Sequence, residues 1–176
     1  MIFLGIGSNL PSSFGDRFKN IELSILYLKE HNIRILKKSS FYETFSYPDR
    51  TQPKFINVVI SIESNKSPFD LMSSLIFIEQ KLERKRAKKN DPRTCDIDII
   101  DFNGKVINLD FKNFMINLPH KKMSERNFVL HPLREICPEW IHPKTKKNID
   151  LLIKNLGTNN EITKLNQNDI INSYVK

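Results

Sequence analysis

Residues 91–102 read DPRTCDIDIIDF, from Asp91 to Phe102. The apolar, β-branched run inside it predicts a strand, and a strand throws alternate side chains to opposite faces. Asp96, Asp98 and Ile100 are thus expected on one face, and Ile97, Ile99 and Asp101 on the other. Carboxylates two residues apart on a strand lie roughly 6.5–7 Å apart at the backbone, a span over which they can jointly grip one or two hard cations. Magnesium suits such a pair because it takes oxygen ligands and keeps waters and substrate phosphates in its shell. A lone D-x-D is weakly specific, so its neighbours decide the reading.

Those neighbours are cationic. Arg93 precedes the pair, Arg84 and Arg86 lie at the end of the preceding helix, and His120 and Arg126 arrive from a later loop. Carboxylate-held magnesium with converging arginines is the apparatus of phosphoryl transfer, where alignment and charge stabilisation supply most of the catalysis. No G-x-x-x-x-G-K-[ST] occurs, and GIGSN is too short for a dinucleotide fingerprint, so bound phosphates would rest on side chains and metal.

Working outward, Ile2 to Ile6 reads as a short strand, followed by a turn through Gly7, Ser8 and Asn9 that Pro11 keeps from continuing as strand. Phe18, Ile21, Ile25 and Leu28 recur at helical spacing, with Asp16 or Ser13 as cap and His31-Asn32 as end. Ile33 to Tyr42 reads as a second strand and Phe55 to Glu63 as a third, with Ile56, Val58, Ile60 and Ile62 alternating onto one face. Ser67 caps a second helix with Pro68 in its first turn and Leu71, Leu75, Ile78 and Leu82 in one stripe. After the acidic strand, Asn103-Gly104 predicts a hairpin into KVINLD, because Asn-Gly tolerates the positive φ of a type I′ turn. A long loop then reaches Pro119-His120, and a short helix ends before Pro138. Asp150 is expected to cap a last helix, LLIKNL, with Gly157 after it; the polar residues beyond carry little pattern.

The order β-α-β-β-α-β with an added hairpin strand predicts an α+β fold, a ferredoxin-like α/β/α sandwich whose mainly antiparallel sheet is flanked by helices. A chain of 176 residues fits one domain. We expect residues 1–158 to form it and 159–176 to be a C-terminal tail packing on or trailing it. The opening MIFLGIGSNLP lacks a charged segment followed by a long apolar one, and no apolar run is long enough for a bilayer, so the expected location is the cytoplasm, without membrane contact. Cys95 and Cys137 lie outside any C-x-x-C spacing and are expected reduced. Lysine and arginine number 28 against 20 acids, a formal charge of +8, which draws anions: nucleic acid, phosphorylated small molecules or an acidic membrane.

At this point the residues resemble a known family, the 6-hydroxymethyl-7,8-dihydropterin pyrophosphokinases. The matching pieces are GIGSNL (5–10), SSFYET (39–44), QPKFINVVISIES (52–64), IEQKLERKR (78–86), PRTCDIDIIDF (92–102) and LPHKKMSERNFVLHPLREICPE (118–139), in the family's order. The resemblance implies that pyrophosphate passes from MgATP to the hydroxymethyl group of the reduced pterin, in folate biosynthesis, with AMP released. It implies that Asp96 and Asp98 hold two magnesium ions and that Arg84, Arg93, His120 and Arg126 are the catalytic cations on the phosphates. ATP contacts extend to Arg86, Ile99 and Lys121. The pterin is expected between Phe55 and Phe128, with Asn57 and the chain at Thr44, Phe45 and Tyr47 reading its polar edge. ATP and the pterin are then the small-molecule partners, with no nucleic acid, and the chain a monomer.

The sequence departs from the family pattern in places: Asn90 stands where a tryptophan is common, Glu83 where a glycine is usual, and Lys121 where an aromatic is often found. Two rivals use some of the same features. A nucleic-acid-binding ferredoxin-like domain accounts for the charge but not for the acidic pair, and lacks an RNP1-type aromatic pattern. A metal-dependent nuclease would use the Asp pair and the basic surroundings, and only Phe55, Asn57 and Phe128 separate it from a pterin enzyme. No serine, cysteine or histidine is paired as a nucleophile, and an Asp96 or Asp98 oxygen or a bound water would take the alcohol's proton.

Overall fold

The computed structural model describes residues 1–85, 91–111, 114–157 and 161–174. In chain order these form β1 (Ile2–Ser8), α1 (Arg17–Glu30), β2 (Arg34–Lys38), β3 (Tyr42–Thr44), β4 (Phe55–Glu63), α2 (Pro68–Lys81), β5 (Asp96–Phe102), β6 (Ile107–Phe111), β7 (Phe114–Leu118), a single 3-10 turn (Met123–Glu125), α3 (Asn127–Ile136), α4 (Ile149–Lys154), β8 (Ile162–Lys164) and α5 (Gln167–Tyr174). The main sheet runs β5-β1-β4-β3-β8, with β2 also paired to β4, and every pairing is antiparallel. Taking β2 and β3 together as one position, this is the ferredoxin-like order expected from the sequence.

The alternation of β4 sorts the two cores. Ile56, Val58, Ile60 and Ile62 face α1 and α2, where they pack with Ile21, Leu28, Leu71, Leu75 and Ile78, all buried. Val59 on the opposite face joins Phe3, Ile100, Leu130, Leu133 and Trp140 beneath α3 and α4. Helices on both faces leave β4 buried along nearly its whole length. The helix starts follow their local chemistry: Asp16 accepts the Lys19 amide at 2.8 Å, and the Ser67 hydroxyl accepts the Asp70 amide at 3.1 Å.

Several expectations give way to tertiary pairing. The single strand read over Ile33 to Tyr42 is split at Ser39-Ser40. The Ser39 amide still donates to the Val59 carbonyl and its hydroxyl accepts the Val59 amide, both at 3.0 Å. A side chain thus stands in for a backbone carbonyl and lets the chain bend between β2 and β3. Asn103 and Gly104 do take positive φ, 55° and 67°, but β6 pairs with β7 in a separate two-stranded sheet rather than with β5. The outer edge of β5 is already occupied, because the His120 amide donates to the Ile100 carbonyl at 2.9 Å and the Glu79 carboxylate accepts the Ile97 amide at 2.8 Å. The stretch read as a long loop therefore contains β7.

The cap of α4 is Asn148, whose carboxamide accepts the Leu151 amide at 2.8 Å, while Asp150 in the first turn pairs with Arg134 at 2.6 Å. The residues read as a patternless tail contribute β8, paired with β3, and α5. Among the described residues no helix is long and apolar enough to cross a membrane.

Candidate active site

The site is built on the α3 side of the sheet. Across from Asp96 and Asp98, β1 presents Gly7 and Gly5 respectively, so no side chain rises beside either carboxylate from the neighbouring strand. A methyl on Gly7 would lie 3.1 Å from the Asn57 Oδ1 and 3.6 Å from the Phe55 ring. A β-bulge follows, as the register slips between Phe3 and Leu4. It turns Asp101, expected on the far face, onto the same side as Ile100, where it accepts the Trp140 indole N–H at 2.8 Å. Asp101 is buried and serves packing, not the acidic pair.

Cations close on the two acids from three segments. Arg84, just beyond α2, meets Asp96 at 2.7 Å and is also paired with Glu79. Arg93 meets the other Asp96 oxygen at 2.9 Å, and Arg126 meets Asp98 at 3.0 Å. Burial and the neighbouring Asp98 carboxylate nevertheless push Asp96 above the usual carboxylate range, against the pull of the three guanidiniums. Burial also opposes the charge on Arg84, but Asp96 and Glu79 outweigh it and raise its pKa.

His120 is drawn down from its ordinary pKa, chiefly by burial, with the Asp98 charge opposing, so it is neutral at pH 7. Its Nδ1 accepts the Lys122 amide at 3.2 Å, which assigns the proton to Nε2 and makes that nitrogen a donor.

The aromatic expectations fall beside these cations. The Arg93 guanidinium lies 5.6 Å from the Phe55 ring centre and that of Arg126 5.5 Å from Phe128. Asn57 is buried and donates to the Thr44 hydroxyl at 3.0 Å. Phe45 carries Arg50 at 4.1 Å and Lys54 at 4.8 Å from its ring centre. The Tyr47 side chain is 86% exposed, apart from this frame. Ile99 and Lys121 line, with Asp98 and His120, a cavity of about 230 Å³ whose other wall is Met72 and the β7 residues Met115 and Asn117. Arg86 and Asn90 lie outside the described residues.

Several participants were not singled out from the sequence. Met115 and Asn117 were hidden with the β7 strand itself, while Met72 lies on α2 beside the stripe residue Leu71. Glu79 is 2% exposed; it lies four residues after Leu75 and three before Leu82, on the apolar stripe itself, and an acid at that spacing is the signal that could have marked it. The sequence marks Asn9 only as a turn residue, yet it is 1% exposed and hydrogen-bonded to two further loops, at Ser46 and Pro53 and at Arg93.

Residues 3–138 match the family model of 7,8-dihydro-6-hydroxymethylpterin-pyrophosphokinase (HPPK). The chain belongs to the HPPK family. It is 35% identical over 149 residues to the 2-amino-4-hydroxy-6-hydroxymethyldihydropteridine pyrophosphokinase of Bacillus subtilis, covering 84% of both chains. It is 35% identical over 144 residues to the folic acid synthesis protein fol1 of Schizosaccharomyces pombe, covering 81% of this chain and 19% of that one. The chain thus spans about a fifth of the length of that relative and of its Dictyostelium discoideum counterpart. In fold it is similar to the Plasmodium falciparum HPPK-DHPS triple mutant, with a TM-score of 0.68 at 15% identity over 87% of this chain and 42% of that one.

The donor set fits magnesium. Two carboxylates on one face, beside strand positions held by Gly5 and Gly7, present hard oxygens that now rest on arginines and that a cation could take over. Among the described residues no group of three or more His, Cys, Asp or Glu side chains is arranged to hold a metal. Two protein carboxylates leave the remaining coordination positions to water and phosphate oxygens, the usual arrangement for this ion.

Proposed function

We propose that this HPPK-family chain transfers pyrophosphate from ATP to the hydroxymethyl group of 6-hydroxymethyl-7,8-dihydropterin and releases AMP, a step of folate biosynthesis. The observation that carries the reading is one sheet face on which an acid pair, three arginines and the Phe55–Asn57–Phe128 frame stand together. The names of the bacterial relatives support the same reading.

The pterin alcohol oxygen attacks the β-phosphorus in line; the new O–P bond forms as the bond to the bridging oxygen of the α-phosphate breaks, and AMP leaves with that oxygen. No enzyme nucleophile takes part. Arg84 and Arg93 exchange Asp96, and Arg126 exchanges Asp98, for phosphate oxygens, and His120 donates from Nε2. Phe55 and Phe128 stack on the pterin, each worth about 0.5–1.5 kcal/mol beyond burial, while Asn57 and the chain at Thr44 to Tyr47 read its polar edge. Ile99, Lys121 and the cavity they line take the nucleoside, with Arg86 a further phosphate contact. Asp96 and Asp98 would hold two magnesium ions, which would withdraw charge from the phosphate oxygens. The alcohol's proton passes to an oxygen acceptor in the site.

Residues 1–158 act as the catalytic domain, with 159–176 an extension of its sheet edge through β8. We place the chain in the cytoplasm as a monomer, a setting that suits an ATP-using protein with two free cysteines. The deciding experiment is AMP formation from ATP and magnesium with and without the pterin. Pterin-dependent AMP is expected; ADP, or AMP independent of the pterin, would overturn the reading.

A further inference from the structure

We propose that Glu79 is a positioning residue that sets Arg84 for the nucleotide and holds the backbone between the two acids. The inference rests on the pyrophosphoryl-transfer reading above. Glu79 lies near the C-terminal end of α2, 2% exposed, and an ionised carboxylate is costly there unless its oxygens are paired. A single oxygen, Oε1, takes both of the contacts described above. It accepts the Ile97 amide at 2.8 Å, and it accepts the Arg84 guanidinium.

The first contact seals the strand that carries the acids. β5 is the last strand of the sheet, with β1 as its neighbour, so an amide on its far edge needs a partner from elsewhere. Ile97 lies between Asp96 and Asp98, and Glu79 therefore anchors the backbone from which both acids project. The second contact orients the cation. The Arg84 amide also donates to the Glu79 carbonyl at 3.0 Å, tying the two residues by backbone and side chain. Asp96 is the other carboxylate on the Arg84 guanidinium. With Asp96 engaged elsewhere, Glu79 would be the carboxylate left to keep Arg84 aimed at phosphate.

A double-mutant cycle tests this. Glu79→Gln keeps a carbonyl for the Ile97 amide and removes only the charge facing Arg84. It is expected to lower kcat/KM for ATP about tenfold or more, the weight of a buried charged hydrogen bond, with pterin KM within about twofold. Adding it to Arg84→Ala should cost less than about a further twofold, because the partner through which it acts is gone. Equilibrium binding of magnesium with a non-hydrolysable ATP analogue should repeat the pattern. Losses that multiply in the double variant, or equal rises in ATP and pterin KM, would make Glu79 a packing residue and sink the proposal. If Glu79→Gln fails to fold, Glu79→Asp keeps the charge with a shorter reach and must show the same dependence on Arg84. Failure of the parent chain to form pterin-dependent AMP would overturn the functional reading instead, a separate outcome.

Discussion

The Asn9 carboxamide oxygen accepts the Arg93 amide at 2.7 Å, and the Arg93 carbonyl in return accepts the amides of Asn9 and Leu10, both at 3.1 Å. The Asn9 Nδ2 donates to the Pro53 carbonyl at 3.1 Å and to the Ser46 hydroxyl at 3.3 Å. One buried side chain thus joins the turn after β1, the segment leading into Phe55 and the segment carrying Arg93. Asn9→Ala strands buried partners and should cost about 1–3 kcal/mol of stability. Because it loosens both substrate loops at once, ATP and pterin KM should rise together; thermal melts and steady-state kinetics read the two effects.

Asp96 carries a conflict between stability and function. Its folded pKa is raised, so the folded state binds the proton more tightly than the unfolded chain does. The stabilisation that the proton brings is full below the unfolded pKa and fades as pH rises through the folded one. At neutral pH its ionisation therefore works against folding, and Asp96→Asn should melt higher than the parent without ligands. The same variant should lose the stabilisation given by magnesium with ATP, about 2.7 kcal/mol at a hundredfold excess over Kd. Melting curves with and without MgATP report both, and a variant that still gains fully from MgATP would remove Asp96 from the metal site.

Glu135 joins α3 to the far edge of the sheet. It accepts the Tyr42 hydroxyl at 2.7 Å and the Ser40 hydroxyl at 2.7 Å, and Lys164 of β8 lies at 3.2 Å. Burial works against its charge, but the hydrogen bonds from Tyr42 and Ser40 outweigh it and hold the carboxyl below its ordinary value. A lowered folded pKa means stability present above the unfolded carboxylate range and lost as pH falls through the folded value. Glu135→Gln should cost about 1 kcal/mol at pH 7, given partial solvent screening, and the gap should close in acid. Urea denaturation at pH 7 and pH 3 measures it.

Gly7 lies beneath Asn57 and Phe55, the proposed pterin frame. With Asn57 Oδ1 3.1 Å from where a methyl would sit, Gly7→Ala should push that carboxamide from its Thr44 contact. Pterin KM is expected to rise about tenfold with ATP KM within about threefold, as one well-placed polar contact is disturbed. Steady-state kinetics in each substrate decides it, and an equal change in both would move Gly7 out of the pterin frame.

Much of the fold was written in local patterns. The alternation of β4, the stripe and Ser67 cap of α2, and the acids of β5 are each set by residues within a few places of one another, and backbone geometry converts such spacing into faces. That places Asp96 and Asp98 side by side and sorts the two cores before any long-range contact is known. What local pattern does not carry is the choice of partner. The Asn103-Gly104 turn formed as read, yet β6 paired with β7, because Glu79 and the His120 loop had taken the edge of β5.

The sequence by itself determined the helices and strands of the central α+β frame, the ferredoxin-like order of its sheet, and the residue types gathered at the site, since these follow from spacing and chemistry along the chain; β7, β8 and α5 did not follow from it. Only the tertiary structure decided that Asp101 turns to the Trp140 side, that Glu79 is buried against the Ile97 amide, and that Asn9 joins three loops. A bulge, an edge amide and a loop junction depend on residues from 18 to 84 positions apart meeting in space, and packing, not local propensity, settles which of them meet.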